Sequence, residues 1–144
     1  MELVNTPLIL RKILDLENYY TQIQEYSAIT LEEYTASWKT QRIVERTLQM
    51  MIETCTDIAN HIISDKGLRP PDSYSDTFKV LLENSIINEK LFDTMSKMAK
   101  FRNIIVHQYD TIDATIVITI LKKHLKDFIL FKDAVIHYIQ NDAQ

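Results

Sequence analysis

The chain has 144 residues and a formal net charge of −4, with one glycine and three prolines. This length fits one domain with a sizeable core, and so few turn-forming residues exclude most all-β folds. The single glycine excludes glycine-rich phosphate loops, and the acidic balance excludes nucleic-acid binding through the overall field of the protein.

The first two predicted helices begin at recognisable start signals. Thr6 is expected to cap an amphipathic helix with Pro7 at its first position, and this helix should end near residues 26–28. Thr30 and Glu33 have the spacing of a capping box, in which each side chain bonds the backbone N–H of the other residue. The box predicts the start of a second, long helix.

The second helix carries a periodic apolar stripe and should end near Ser64, before a loop at residues 65–71. Cys55 lies in this stripe. Because it is the only cysteine, it can form neither an internal disulfide nor a zinc cluster, and we expect it to be buried. Ser73 or Ser75 should cap a short third helix.

The fourth helix is expected from about Glu89 to residues 109–111, and Asp113 can cap a fifth. Residues 114–120 are rich in Thr, Ile and Val, which favours a strand, but the three-to-four residue apolar period continues through to Ile139. The fourth helix should bury Leu91, Met95, Met98, Phe101 and Ile105. The sequence thus predicts one all-α domain over residues 1–144, an antiparallel bundle of four long helices and a short one, with a tail that frays from Asn141.

The end of the fourth helix concentrates potential chemistry, with Arg102, Asn103, His107 and Tyr109 inside eight positions. On a helix, Asn103 and His107 share a face, whereas Arg102 and His107 point about 140° apart at 100° per residue. The arginine could swing partway round, the helix could end between them, or a second subunit could supply the missing partner. The spacing leaves these three arrangements open.

Such a group suits phosphodiester cleavage without a metal. A neutral histidine can take the proton of a ribose 2′-OH, or its protonated form can give one to the 5′-oxygen. An arginine can hold the phosphate and stabilise the negative charge of the transition state, and Asn103 can bond the phosphate or orient the histidine. From spacing alone, an arginine and a histidine on one helix are more often a solvated face or a satisfied polar pair.

The remaining polar residues predict no metal site and no cofactor. His61, His124 and His137 belong to no E-x-x-H or H-E-x-x-H pattern, so the ligands of a metal-binding bundle are missing. Asp57 is expected to pair locally with His61. Four lysines of the last helix predict a solvated face, or alternatively a basic strip for RNA: Lys122, Lys123, Lys126 and Lys132. With no apolar run of membrane-spanning length and no signal-peptide pattern, we expect a cytoplasmic protein with no membrane partner.

The segment from Arg102 to Tyr109 resembles the R-x4-H-x-Y motif of the HEPN superfamily, in the form carried by HepT-like toxins. The segment 44–49, Val-Glu-Arg-Thr-Leu-Gln, resembles the second-helix signature of that family, and so do residues 52–53, 57–59 and 61–63. The loop 67–74, with Pro-Pro-Asp-Ser-Tyr, matches as well. The resemblance covers essentially the whole chain.

The resemblance implies an all-α protein that dimerises and places two R-x4-H motifs in a composite cleft. Active members are metal-independent endoribonucleases, the toxins of type VII toxin–antitoxin pairs. For this chain, transfer RNA and messenger RNA both stay open as the substrate. The antitoxin is a minimal nucleotidyltransferase (MNT) that transfers AMP to the motif tyrosine. By position, Arg102 and His107 would be catalytic, Asn103 supportive, and Tyr109 the modified residue.

A second function stays open at this stage. The chain could be a non-catalytic HEPN subunit of a nucleotidyltransferase complex, binding a nucleotide or a partner without cleaving RNA. Toxicity relieved by His107→Ala would favour the nuclease. Nucleotide binding that requires Arg102, in a protein that is harmless when expressed, would favour the binding subunit.

Overall fold

A computed structural model describes residues 3–142, which form α-helices joined by short turns and no β-strand. The helices are α1 (Thr6–Ile23), α2 (Leu31–Thr35), α3 (Trp38–Asp65), α4 (Tyr74–Glu83), α5 (Glu89–His107), α6 (Ala114–Thr119) and α7 (Leu125–Asp142). Two 3₁₀ turns lie at Gln24–Tyr26 and Tyr109–Thr111, and a π turn at Ile120–His124 joins α6 to α7. No described helix is long and apolar enough to cross a membrane.

The core lies between four long helical rods: α1, α3, α5 and the continuous α6–α7 segment. Helix α1 packs along α3, α4 packs against α5, and α7 contacts both α1 and α5. Phe78 of α4 meets Phe131 of α7 edge to face, with ring centres 5.7 Å apart. The predicted inward residues of α5 are buried, as is Cys55. The predicted bundle of four long helices and a short one is confirmed, with the five-residue α2 in addition.

The starts of the first helices differ in detail from the prediction. Asn5 caps α1 rather than Thr6, because its side-chain oxygen accepts the N–H of Leu8 at 3.3 Å. The capping box of Thr30 and Glu33 is present, as predicted. It opens only the short α2, however, so the prediction of one continuous second helix is wrong.

The break between α2 and α3 is stabilised by the side chains of Ser37 and Gln41. Ser37 is extended and caps α3 by accepting the N–H of Thr40 at 3.2 Å. The side-chain amide of Gln41 donates to the carbonyls of Tyr34 and Thr35 at 3.1 and 3.2 Å. These two bonds satisfy carbonyls at the end of α2 that a continuing helix would have bonded itself.

Helix α5 ends at His107, earlier than predicted. The carbonyl of Gln108 accepts both the N–H and the hydroxyl of Thr111, at 2.9 and 3.0 Å, which closes a 3₁₀ turn instead of another helical turn. The predicted fraying from Asn141 is also wrong for the described residues. Asp142 stays helical because it accepts bonds from the ammonium of Lys66 and the N–H of Val4. Residues 143 and 144 lie outside the described range.

Candidate active site

Arg102 is held by contacts from three helices. Its side chain is only 14% exposed, and one terminal nitrogen, Nη2, lies 3.6 Å from Oε1 of Glu53 on α3. The guanidinium carbon lies 4.2 Å from the ring centre of Tyr74, the first residue of α4. Its Nη1 donates to the side-chain oxygen of Asn103 at 3.3 Å. An arginine with this many contacts loses little further entropy when it binds a phosphate.

Glu53 and Tyr74 are site residues that sequence reasoning missed. Gln49 donates to both carboxylate oxygens of Glu53, at 3.2 and 3.3 Å, and so orients the carboxylate. Both residues lie in segments that resemble the HEPN pattern, but they are on helices other than α5. The resemblance of these two segments was their sequence signal, but it did not indicate that the two side chains contact Arg102.

A network around Arg69 fixes the start of α4, where Tyr74 lies. Arg69 donates to both oxygens of Asp76, at 2.8 and 2.9 Å, and to both oxygens of Glu83, at 2.8 and 3.1 Å. The Asp76 carboxylate also accepts the N–H of Asp72. The Arg69 guanidinium is the main reason why the pKa of Asp76 falls to about 2. Tyr74 therefore belongs to a helix whose first turn is anchored.

One nitrogen of Arg102 is left without a partner. Its Nε is buried and makes no hydrogen bond within residues 3–142. An unpaired buried donor is unfavourable, and because protein atoms cover this Nε it is closed to a ligand in this conformation. A phosphate group is the natural ligand for a fork of N–H donors.

His107 and Tyr109 lie at the open end of α5. His107 is the last residue of the helix and is exposed, and no hydrogen bond to its ring is present in the described part of the chain. Tyr109 begins the 3₁₀ turn and is 66% exposed. The structure joins Arg102 to Asn103 but forms no bond between Arg102 and His107 within one protomer. Of the three arrangements, the arginine swinging towards His107 is not observed, and the helix does not end between the two residues because α5 continues to His107.

Two expectations for the other polar residues differ from the structure. Asp57 lies 3.8 Å from the ammonium of Lys12, so its expected local pairing with His61 is wrong: the carboxylate turns towards α1 instead. Lys132 is only 19% exposed and lies near Asp133, so it is not part of a solvated lysine face. Within residues 3–142, no cluster of three or more His, Cys, Asp or Glu residues could hold a metal ion.

The helical bundle, together with the segment 102–109 at the end of α5, defines a HEPN-like protein. A family model described as "Ribonuclease HepT-like" matches residues 16–135, and the chain belongs to that family.

Two nucleases are similar to this chain over most of their length. The mRNA nuclease HepT of Shewanella oneidensis is 34% identical over 128 residues, covering 89% of this chain and 96% of the relative. The tRNA nuclease HepT of Aphanizomenon flos-aquae is 29% identical over 136 residues, covering 92% of this chain and 91% of the relative.

Solved structures of toxin–antitoxin complexes share the fold. The tri-AMPylated Shewanella oneidensis HEPN toxin in complex with its MNT antitoxin superposes with a TM-score of 0.83 at 33% identity, covering 90% of this chain and 96% of that one. A toxin–antitoxin structure with AMP-PNP gives a TM-score of 0.85 at 32% identity, covering 91% of this chain and 98% of the chain in that structure. The cytosolic protein YutE of Bacillus subtilis, at 22% identity and a TM-score of 0.85, supports the fold alone.

Proposed function

We propose that this protein is a metal-independent endoribonuclease and the toxin of a toxin–antitoxin pair. The observation that carries the proposal is the match, over nearly the full length of both chains, to a nuclease of the same family. The geometry of α5 agrees with it, because a largely buried arginine and an exposed histidine lie near one end of the helix. The proposed substrate class is RNA, either messenger or transfer RNA, and the proposed location is the cytoplasm.

The proposed reaction uses His107, Arg102 and Asn103. Neutral His107 takes the proton of the ribose 2′-OH, and the 2′-oxygen attacks the adjacent phosphorus. The bond from phosphorus to the 5′-oxygen breaks, and a protonated His107 gives that oxygen its proton, leaving a 2′,3′-cyclic phosphate and a free 5′-OH. Arg102 binds the phosphate oxygens through the transition state, and Asn103 supports the arginine through their hydrogen bond.

We further propose that two protomers supply one cleft. Within a protomer, the Arg102 guanidinium is directed to Glu53 and Tyr74, while His107 is exposed at the last helical position. A second copy packed at the end of α5 would add its own arginine and histidine, so acid, base and phosphate clamp could come from different subunits. A homodimer is therefore the expected catalytic unit.

The proposed partner is an MNT antitoxin that transfers AMP to Tyr109. The phenol is 66% exposed on a turn two residues beyond His107, so a transferase can reach it without unfolding α5. Each AMP unit adds a phosphodiester charge beside the phosphate-binding residues. The modified tyrosine would then exclude RNA by occupying the cleft and by repulsion.

The experiment that tests this function compares wild-type protein, Arg102→Ala and His107→Ala. Each dimer, free of tyrosine modification, is incubated with total RNA in EDTA, and the RNA ends are mapped. Arg11→Ala and His137→Ala are matched controls, because both residues are exposed and belong to helices other than α5. Cleavage by wild type and controls only, with 2′,3′-cyclic or 3′-phosphate ends, is the expected result. No cleavage by correctly folded wild type would favour the nucleotide- or partner-binding subunit instead.

A further inference from the structure

A basic groove lies on the molecule away from Arg102 and His107. It has a volume of about 1050 Å³ and is formed where the end of α1, the start of α5 and the π turn meet. Four lysines from three elements, namely α5, the π turn and the start of α7, line it: Lys90, Lys122, Lys123 and Lys126. We call this feature the lysine groove.

The charge of the lysine groove is opposite to that of the whole protein. Four of the 16 lysines and arginines line it, whereas Asp127 is the only acidic residue within residues 3–142 that does. The Asp127 carboxylate is already engaged by Nδ1 of His124 at 2.9 Å. Within residues 3–142, none of the four lysines forms an ion pair with a carboxylate. In a chain of net charge −4, this is a local site of positive potential for a polyanion.

The local backbone brings these groups together. Lys122, Lys123 and His124 belong to the π turn, and such turns are rare in helices and frequent at functional sites. Lys90 joins them from the first turn of α5. The lysines therefore line a concave surface and do not form the solvated face of a single helix. The half-buried ring of Tyr20 also lines the groove and offers a stacking surface for a base.

A second cavity extends the lysine groove towards the end of α5. This cavity of about 270 Å³ shares Thr94 and His124 with the groove and reaches Phe101, the residue before Arg102. At 1.5 Å per residue, Lys90 and Arg102 are about 18 Å apart along the axis of α5. An extended strand can span this distance, whereas a single nucleotide cannot.

We propose that the lysine groove binds the phosphodiester backbone of the RNA substrate, on the stretch of RNA outside the cleaved bond. This inference rests on the proposed ribonuclease function. Phosphate contacts made by lysine ammonium groups are independent of base sequence, so the groove contributes affinity and leaves the choice of cleavage position to the cleft.

The test replaces the lysines by neutral residues in a protein that cannot cleave. In a His107→Ala dimer, the groove triple variant Lys122→Gln, Lys123→Gln, Lys126→Gln is compared with a control triple variant, Arg11→Gln, Lys39→Gln, Lys79→Gln. Both triples remove the same charge, and the control residues lie outside both cavities. The probe is a single-stranded RNA of mixed sequence, and its Kd is measured across a range of salt concentrations.

We expect the groove triple to weaken RNA binding about 10-fold near physiological salt, and the control triple to change it less than about 2-fold. The slope of log affinity against log salt should become shallower by about 2 for the groove triple, since each lost contact to single-stranded RNA removes about 0.7. Equal weakening by both triples would overturn the proposal, because it would show a general charge effect.

Kinetics in the otherwise wild-type protein supply a second measurement. The groove triple should raise KM for long RNA and leave kcat unchanged, and it should leave cleavage of a dinucleotide unchanged. If the groove triple weakened only the binding of the antitoxin, the groove would be a protein interface and the proposal would be wrong. If the wild type cleaved no RNA, the proposed ribonuclease function would be wrong. The binding comparison between the two triple variants would still test whether the lysine groove binds RNA.

Discussion

The guanidinium carbon of Arg102 lies 4.2 Å from the ring centre of Tyr74, so the candidate catalytic arginine is seated on an aromatic ring from another helix. The carboxylate of Glu53, 3.6 Å from Nη2, supports it from a third helix. These two contacts fix the position of the guanidinium in the ligand-free protein. It also makes the arginine sensitive to changes in residues that need not touch the substrate.

Replacing Arg102 by lysine should nearly abolish activity although the charge is kept. A lysine ammonium is a point charge that lacks the planar fork and stacks poorly on an aromatic ring. We expect kcat for RNA cleavage to fall about 10²- to 10³-fold, the usual cost of losing one donor to a developing oxyanion. Single-turnover cleavage measures the change, with Arg11→Lys as control. A lysine variant as active as wild type would show that only the charge is needed.

Tyr74 should act through the position of Arg102. Tyr74→Phe keeps the ring and should keep activity, whereas Tyr74→Leu removes the cation–π contact. A half-buried contact of this kind is worth on the order of 1 kcal/mol, so we expect kcat to fall about 5-fold with little change in KM. Circular dichroism and dimer mass should be equal for both variants. Equal activity of the phenylalanine and leucine variants would remove Tyr74 from this role.

Glu53→Gln tests the other support of the arginine. The amide keeps the size of the side chain but removes the charge that faces Nη2 of Arg102. Since the pair is partly exposed, its loss should cost several-fold in kcat rather than abolish activity. Steady-state cleavage of RNA gives kcat and KM separately. Glu17→Gln on the exposed face of α1 is the control, and an effect confined to KM would argue for a role in binding RNA instead.

The sequence predicted those features of the molecule that depend on local pattern. The periodic apolar residues of α5, the capping box at Thr30 and the cap at Asp113 are all present. The position of Arg102 on α5 could also be predicted. In each case the determining residues lie within one or two helical turns of each other.

The features that the sequence did not predict depend on contacts between distant residues or on competition at a helix end. The break at Ser37 is stabilised by the Gln41 side chain, and α5 stops at His107 because the Gln108 carbonyl bonds Thr111. The contacts of Glu53 and Tyr74 with Arg102 join three helices. The spacing of residues within α5 could not indicate these contacts, because the partners lie on other helices.

Tyr109→Phe should produce a toxin that its antitoxin cannot silence by AMP transfer. The phenylalanine ring keeps the shape of the turn but has no hydroxyl to accept the AMP. Intact-protein mass spectrometry after incubation with ATP and the antitoxin should show added AMP units on wild type and on Tyr26→Phe, but none on Tyr109→Phe. Co-expression of this variant with the antitoxin should leave growth arrested. Full neutralisation through AMP transfer to the variant would exclude Tyr109 as the acceptor.

Acid should destabilise the protein through the Arg69–Asp76 pair. The folded state lowers the pKa of Asp76 from 3.8 to about 2, so the pair stabilises the fold above about pH 4 and this contribution is lost as the pH falls towards 2. The difference in Tm between wild type and Asp76→Asn should therefore be constant near neutrality and shrink across this window. Asp15→Asn, an exposed carboxylate with no ion pair in the described residues, is the control. A difference in Tm that persisted unchanged to pH 2 would show that the Asp76 carboxylate stabilises the start of α4 by something other than its charge.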